Sequence, residues 1–231
     1  MEESNIYNRA EALISEYTDF IKGIKRYKTE ECVTLSHIIK LKSVLANINN
    51  VITLLATHAV AYKIAEAFEF PEAKTRRLIG KINEVGPNTN GYDIQIDDPK
   101  ILVEVKCNKL IDGKFGAAQL KSMQNDILKL WAPSLDKHQK AFNSIHNTVD
   151  YLKILAIVNF DDVPVDELVH PLTKPVKCKE STSADRKRRK GTYQFVELLN
   201  EPLRTAGKEK VKILVLTLQD LEVSLNKILA K

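Results

Sequence analysis

The sequence predicts an α/β (α+β) protein: a central mixed β-sheet flanked by helices, with a helical elaboration at the N-terminus. Three observations predict it. Apolar residues recur at helical spacing through the first seventy or so positions. Two short alternating segments, 92–96 and 101–106, read as a β-hairpin. Two nearly continuous apolar runs, 152–160 and 212–216, read as strands buried on both faces. The 231 residues are 44% hydrophobic and 28% charged, an ordinary balance that supports one sizeable core. A single domain over 1–231 is expected: helical elaboration 1–52, core 53–160, excursion 161–210, and closing strand and helix 211–231.

Each element has its own signal. Ala10, Leu13, Ile14, Tyr17, Ile21 and Ile24 share one helical face. A second helix starts after Thr34 or Ser36, with Leu35, Ile38, Leu41, Leu45 and Ile48 on its stripe. A third covers 53–70 and stops before Pro71. These stripes serve either a core or a dimer interface. Leu78-Ile79-Gly80-Lys81-Ile82 reads as a first strand, and Gly86-Pro87-Asn88-Thr89-Asn90-Gly91 as a turn-rich loop. After the hairpin and the loop glycines Gly113 and Gly116 comes a helix. It turns Leu120, Met123, Ile127, Leu130 and Trp131 inward and Lys121 outward. Pro133 separates it from another helix over 135–149. Residues 161–190 contain Pro164, Pro171 and Pro175 and show no period; excursions this long are commonly functional. Beyond the last strand, Thr217 and Asp220 resemble a capping box.

The hairpin carries the chemistry. Tyr92, Ile94 and Ile96 take one face, Asp93 and Gln95 the other. With 97–100 as the loop, Ile96 pairs with Ile101, and counting outward sets Asp93 opposite Glu104. Opposed side chains have Cβ atoms roughly 4.5–5.5 Å apart, and like charges there destabilise the sheet. A hard divalent cation compensates such a pair. Lys106 lies two residues beyond Glu104 and shares its face. Two carboxylates and an amine on one spot suit phosphodiester hydrolysis. The metal neutralises developing charge and activates water, and the lysine orients or deprotonates that water.

At these residues the chain resembles the PD-(D/E)XK nuclease superfamily, the restriction-endonuclease-like fold. The pattern reads Asp93, ten intervening residues, then Glu104-Val105-Lys106. Tyr92 stands where the family name carries proline. The motif covers about residues 80–108, and the element order extends the resemblance to about 53–217. The resemblance implies that Asp93 and Glu104, with the Val105 carbonyl, bind Mg²⁺, Mn²⁺ substituting, and that Lys106 serves the attacking water. It implies an endodeoxyribonuclease, most like a type II restriction endonuclease. Members often add an acidic residue before the sheet, for which Glu66 and Glu84 are candidates. The exonuclease branch carries a glutamine on the following helix, where Gln119 and Gln124 lie.

Charge points to the partner. The net charge is +5, yet residues 174–190 hold eight basic and two acidic side chains, leaving 27 basic and 28 acidic elsewhere. A basic patch on a neutral body fits a polyanion. Double-stranded DNA is expected, with contacts from Asn88, Asn90, Lys121, Arg186, Lys187, Arg188, Arg189 and Lys190. A palindromic target implies a homodimer. Three other readings share these residues: a repair or junction-resolving nuclease of the same fold, an RNA-processing nuclease, and a non-catalytic nucleic-acid-binding protein. Cys32, Cys107 and Cys178 are widely spaced and form no CxxC pair, so neither a zinc cluster nor a disulfide framework is indicated. No secretory leader is visible, and the longest nearly apolar stretch, 51–62, is too short to span a bilayer. A cytoplasmic protein without a membrane partner is expected.

Overall fold

In the computed structural model, helix α1 runs unbroken over Leu35–Ala67. The residues described are 12, 15, 18, 19, 22, 35–84, 91–131, 148–174, 176–177, 192–193 and 196–229. The sequence reading splits α1 near residue 50. The chain there, Ile48-Asn49-Asn50-Val51, holds neither proline nor glycine, so nothing ends the helix. By length and composition alone, its segment Ile39–Ala67 would suffice to cross a bilayer. Ala56, Ala59, Val60 and Ala61 within it are buried in the protein.

The segment expected as a first strand is also helical: α2 spans Glu72–Glu84. Leu78 and Ile82, one helical turn apart, are its buried residues. Glu72 and Arg76, also four apart, form an exposed ion pair at 2.5 Å. The five-residue window 78–82 hid that longer period. The chain forms two compact units: Met1–Lys63 with Phe70–Thr89 and Gln219–Lys231, and Ile64–Glu69 with Asn90–Leu218. In the first, Lys63 meets Asp220 at 2.7 Å, tying α1 to the C-terminal helix.

The second unit contains a mixed five-stranded sheet with helices against it, as the α+β class requires. Its strands are β1 (Ile94–Asp97), β2 (Lys100–Lys106), β3 (Leu152–Val158), β6 (Val196–Leu198) and β7 (Val211–Leu216). A separate two-stranded ribbon pairs β4 (Val176–Lys177) with β5 (Thr192–Tyr193). The order in the main sheet is β1-β2-β3-β7-β6. Only β1 and β2 are antiparallel; β2, β3, β7 and β6 run parallel. Parallel neighbours need a crossover. Between β2 and β3 it includes α3 (Ala117–Trp131), and between β3 and β7 it includes α4 (Val165–Thr173). The latter corrects the aperiodic reading of 161–190: Leu168, Val169 and Leu172 are buried at helical spacing despite Pro171.

Every residue of β3 is buried, which explains its unbroken apolar run. Alternate residues serve opposite faces. Leu155 and Ile157 join Leu102, Met123, Ile127 and Leu130 in the core beneath α3. Lys153 lies in the same strand, and its ammonium donates to the carbonyls of Thr148 (3.3 Å) and Lys208. Lys212 on β7 is likewise buried and paired with Glu197 and Glu201. Leu155 is fully enclosed beside Glu104 in the register. Leu155→Ala is expected to cost about 2–5 kcal/mol in urea unfolding, through lost burial and the cavity left behind.

Candidate active site

Glycine opens the site. Gly91 adopts φ +135°, backbone that side-chain-bearing residues rarely take. Asp93 sits at a bend before β1, outside the ladder. Tyr92 therefore leaves the expected face of Ile94 and Ile96. It packs in the core beneath α3, and its hydroxyl donates to the Lys129 carbonyl at 3.3 Å.

The register is the one counted from sequence. Ile96 pairs with Ile101 and Ile94 with Val103, which extrapolates to Asp93 opposite Glu104. The turn is tighter than expected: Asp97 pairs with Lys100, leaving Asp98-Pro99 at the tip with a cis peptide bond between them. Beyond Ile94 the ladder gives out, and Asp93 substitutes its side chain for the missing backbone partner. Its Oδ2 accepts a hydrogen bond from the Val105 amide at 2.6 Å.

Glu104 is 5% exposed. Burial, and then Asp93 beside it, push its carboxyl up to about 8 against the pull of Lys129. Burial also raises Asp93, although the Val105 amide, Lys106 and Lys129 oppose it. For Lys106 burial alone would lower the ammonium. Asp126, then Glu104 and Asp93, outweigh burial and hold it above its ordinary value. A lysine so held is a cation at neutral pH, able to orient and neutralise but not to take a proton from water.

Helix α3 supplies two residues that the sequence reading missed. The Lys129 ammonium contacts Glu104 Oε1 at 2.5 Å, and Asp126 Oδ2 contacts the Lys106 ammonium at 2.7 Å. Lys129 also donates to the Gly91 carbonyl and lies 5.1 Å from the centre of the Tyr92 ring. A signal existed. Asp126 and Lys129 are three apart and interleave with Met123, Ile127 and Leu130, so they border the buried stripe of the helix.

The other candidates fall elsewhere. Gln119 accepts from the Gly116 amide (2.9 Å) and donates to the Lys109 carbonyl (3.2 Å), which fastens the start of α3. Glu66 and Glu84 are exposed, Glu84 on a helix rather than the strand expected, and the ion pairs of the site include neither. Lys121 is exposed on α3. Asn88, Asn90 and Arg186, Lys187, Arg188, Arg189 and Lys190 lie outside the described residues, as do residues 135–147 of the helix expected over 135–149; Thr148 and Val149, its last two, are not helical. Cys107 is half-buried just past β2 and forms no disulfide among the described residues; Cys32 and Cys178 lie outside the described residues.

The site stands where β2 ends, at the carboxyl end of the parallel strands, the usual place for a ligand in an open α/β sheet. The loops after β2 and β3 meet there, the Leu110 amide donating to Asp161 at 3.3 Å. Among the described residues, no group of three or more His, Cys, Asp or Glu side chains is arranged to hold a metal ion. The donor chemistry available is two neighbouring carboxylates, Asp93 and Glu104, one of them enclosed and resisting ionisation. That set fits a hard divalent cation, which relieves both the repulsion and the burial. No protein-family model matches the chain, and no curated protein or solved structure is significantly similar to it.

Proposed function

We propose that this chain is a Mg²⁺-dependent endodeoxyribonuclease of the PD-(D/E)XK type, acting as a type II restriction endonuclease. The observation that supports the reading is the Asp93 carboxylate lying beside Glu104 just past the end of the β-hairpin ladder, with Lys106 next on the same strand face. Asp93 and Glu104 would hold the cation, with the Val105 carbonyl as the main-chain donor. When bound, the cation supplies Lewis-acid stabilisation and an activated water.

The protein's own groups do the rest. Asp126 holds the Lys106 ammonium in place, so Lys106 orients the nucleophile and neutralises charge on the phosphate. The Val105 amide fixes Asp93. The basic run of 174–190 would supply phosphate contacts, whose affinity falls as salt rises.

Asp93→Ala is expected to remove cleavage of long duplex DNA in Mg²⁺ altogether. Lys106→Ala is expected to reduce it by about 10²–10³-fold. DNA binding, read by gel shift, persists in both. Cleavage that survives in both variants refutes the nuclease. Sequencing the fragment ends defines the class. A common sequence at every end marks a restriction enzyme, and cutting confined to branched DNA marks a junction-resolving one. RNA cleavage in preference to DNA excludes both.

A further inference from the structure

We infer that Lys129 is a latch on the metal site: its ammonium takes the cation's place on Glu104 in the metal-free protein and is released when the cation binds. The inference rests on the proposed function and deepens it. Strand β2 presents Glu104 and Lys106 two residues apart, and α3 presents Asp126 and Lys129 three residues apart, each acid meeting the lysine of the other element. The two elements close into a square of two ion pairs, at 2.5 and 2.7 Å.

The corners are not equivalent. Asp126 and Lys106 leave the Glu104 carboxylate untouched, so their pair persists when a cation arrives. Lys129 contacts Glu104 Oε1, so a cation shared between Glu104 and Asp93 would meet its ammonium at the same carboxylate. An ammonium and a divalent cation cannot both hold one enclosed carboxylate without strong repulsion.

Lys129 also has somewhere to go. It already donates to the Gly91 carbonyl and lies 5.1 Å from the centre of the Tyr92 ring. An ammonium that gives up Glu104 keeps both, the ring contact being a favourable seat for a cation. Release therefore leaves no charge stranded in the core. It also leaves Lys129 bound to the segment that carries Asp93.

Charge explains what the latch achieves. With all groups ionised, three carboxylates (Asp93, Glu104, Asp126) face two ammonium groups (Lys106, Lys129), a net of minus one, and of zero while Glu104 keeps its proton; neither attracts phosphate. A divalent cation makes the net charge positive. The site then attracts a phosphodiester only once it is loaded. Lys129 is thus a positioning residue, acting through Glu104.

Mg²⁺ titration of the full chain by calorimetry at pH 8.5, without DNA, tests the inference. Lys129→Met is expected to bind Mg²⁺ on the order of tenfold more tightly than the wild type, because one competing positive charge is gone. If Lys129 merely holds Glu104 in position, the variant binds equally or less tightly, and the latch is refuted. A second variant keeps the inference testable if Lys129→Met does not fold. Lys129→Gln retains a donor for the Gly91 carbonyl without the charge and is expected to tighten Mg²⁺ binding by a similar factor. Unchanged or weaker binding in this variant refutes the latch. Folded wild-type protein that binds no Mg²⁺ refutes the metal site itself, and the latch falls with it. Binding without tightening in Lys129→Met refutes the latch alone.

Discussion

Glu104→Gln is expected to abolish Mg²⁺-dependent cleavage and to stabilise the metal-free protein. The two effects have one cause. Glu104 is enclosed beside Asp93, and its carboxyl is pushed up to about 8, so ionising it inside the protein is costly. Glutamine keeps the shape and removes the charge. The sign follows from linkage: the folded state binds this proton more tightly than the unfolded chain. Wild-type stability is therefore lost as pH rises from about 4.5 through about 8. The gain in Glu104→Gln is on the order of 5 kcal/mol at pH 8.5 in EDTA and vanishes toward pH 4.5. Differential scanning calorimetry across that range reads it directly. Cleavage, meanwhile, falls by about 10²–10³-fold or more. The opposite stability result would be decisive too. If the Glu104–Lys129 pair exists to hold the fold, breaking it destabilises by about 3–5 kcal/mol, and the site loses its claim to function.

The second large effect lies in the other unit. His58 is fully enclosed on α1, and its Nε2 lies 2.9 Å from Asn83 Oδ1 on α2. An amide oxygen only accepts, so Nε2 carries the proton. Nδ1 is then an unprotonated nitrogen with no hydrogen-bond partner among the described residues. Protonating it would bury a charge without an acceptor. Burial accordingly lowers His58 to about 4, with the Asn83 bond opposing. Here the unfolded chain takes the proton first. Stability is intact above pH 6.5 and is lost as pH falls toward about 4, in all by about 3 kcal/mol. His58→Gln keeps a donor for Asn83 and has nothing to titrate. Its stability relative to wild type is expected to improve by that amount between pH 7 and pH 4. A difference that does not vary with pH overturns the assignment of His58 as the acid-sensitive point.

Much of the candidate site was legible because a hairpin is local. Alternation around Ile94 and Val103 fixes which side chains share a face, and a turn containing proline fixes the register. Asp93, Glu104 and Lys106 follow by counting. Asp126 and Lys129 did not follow, because nothing in a strand's sequence names the helix that will cross it. Their pairing with β2 depends on how α3 docks in three dimensions. The helical elements failed for a different reason. The sequence reading divides α1 between Ile48 and Thr53 although no proline or glycine stands there, and it takes α2 through a five-residue window in which strand and helix cannot be told apart. The apolar strands were the plainest, since burial on both faces leaves little room for another pattern.

The two-residue tip at Asp98-Pro99 also constrains how this chain can vary over evolutionary time. Side chains on a strand alternate, so register has parity. Adding or deleting one residue at that tip must be absorbed by rebuilding the turn, or β1 slips by one residue along β2, which is also held by β3. A slip by one turns the Asp93 face of β1 away from Glu104 and Lys106. The loop after β2 carries no such constraint. Residues Ile111, Asp112, Gly113 and Lys114 are exposed, and α3 can reach its place from loops of several lengths. Descendants of this sequence should therefore differ in length freely after the Glu-Val-Lys strand and far less at the tip before it.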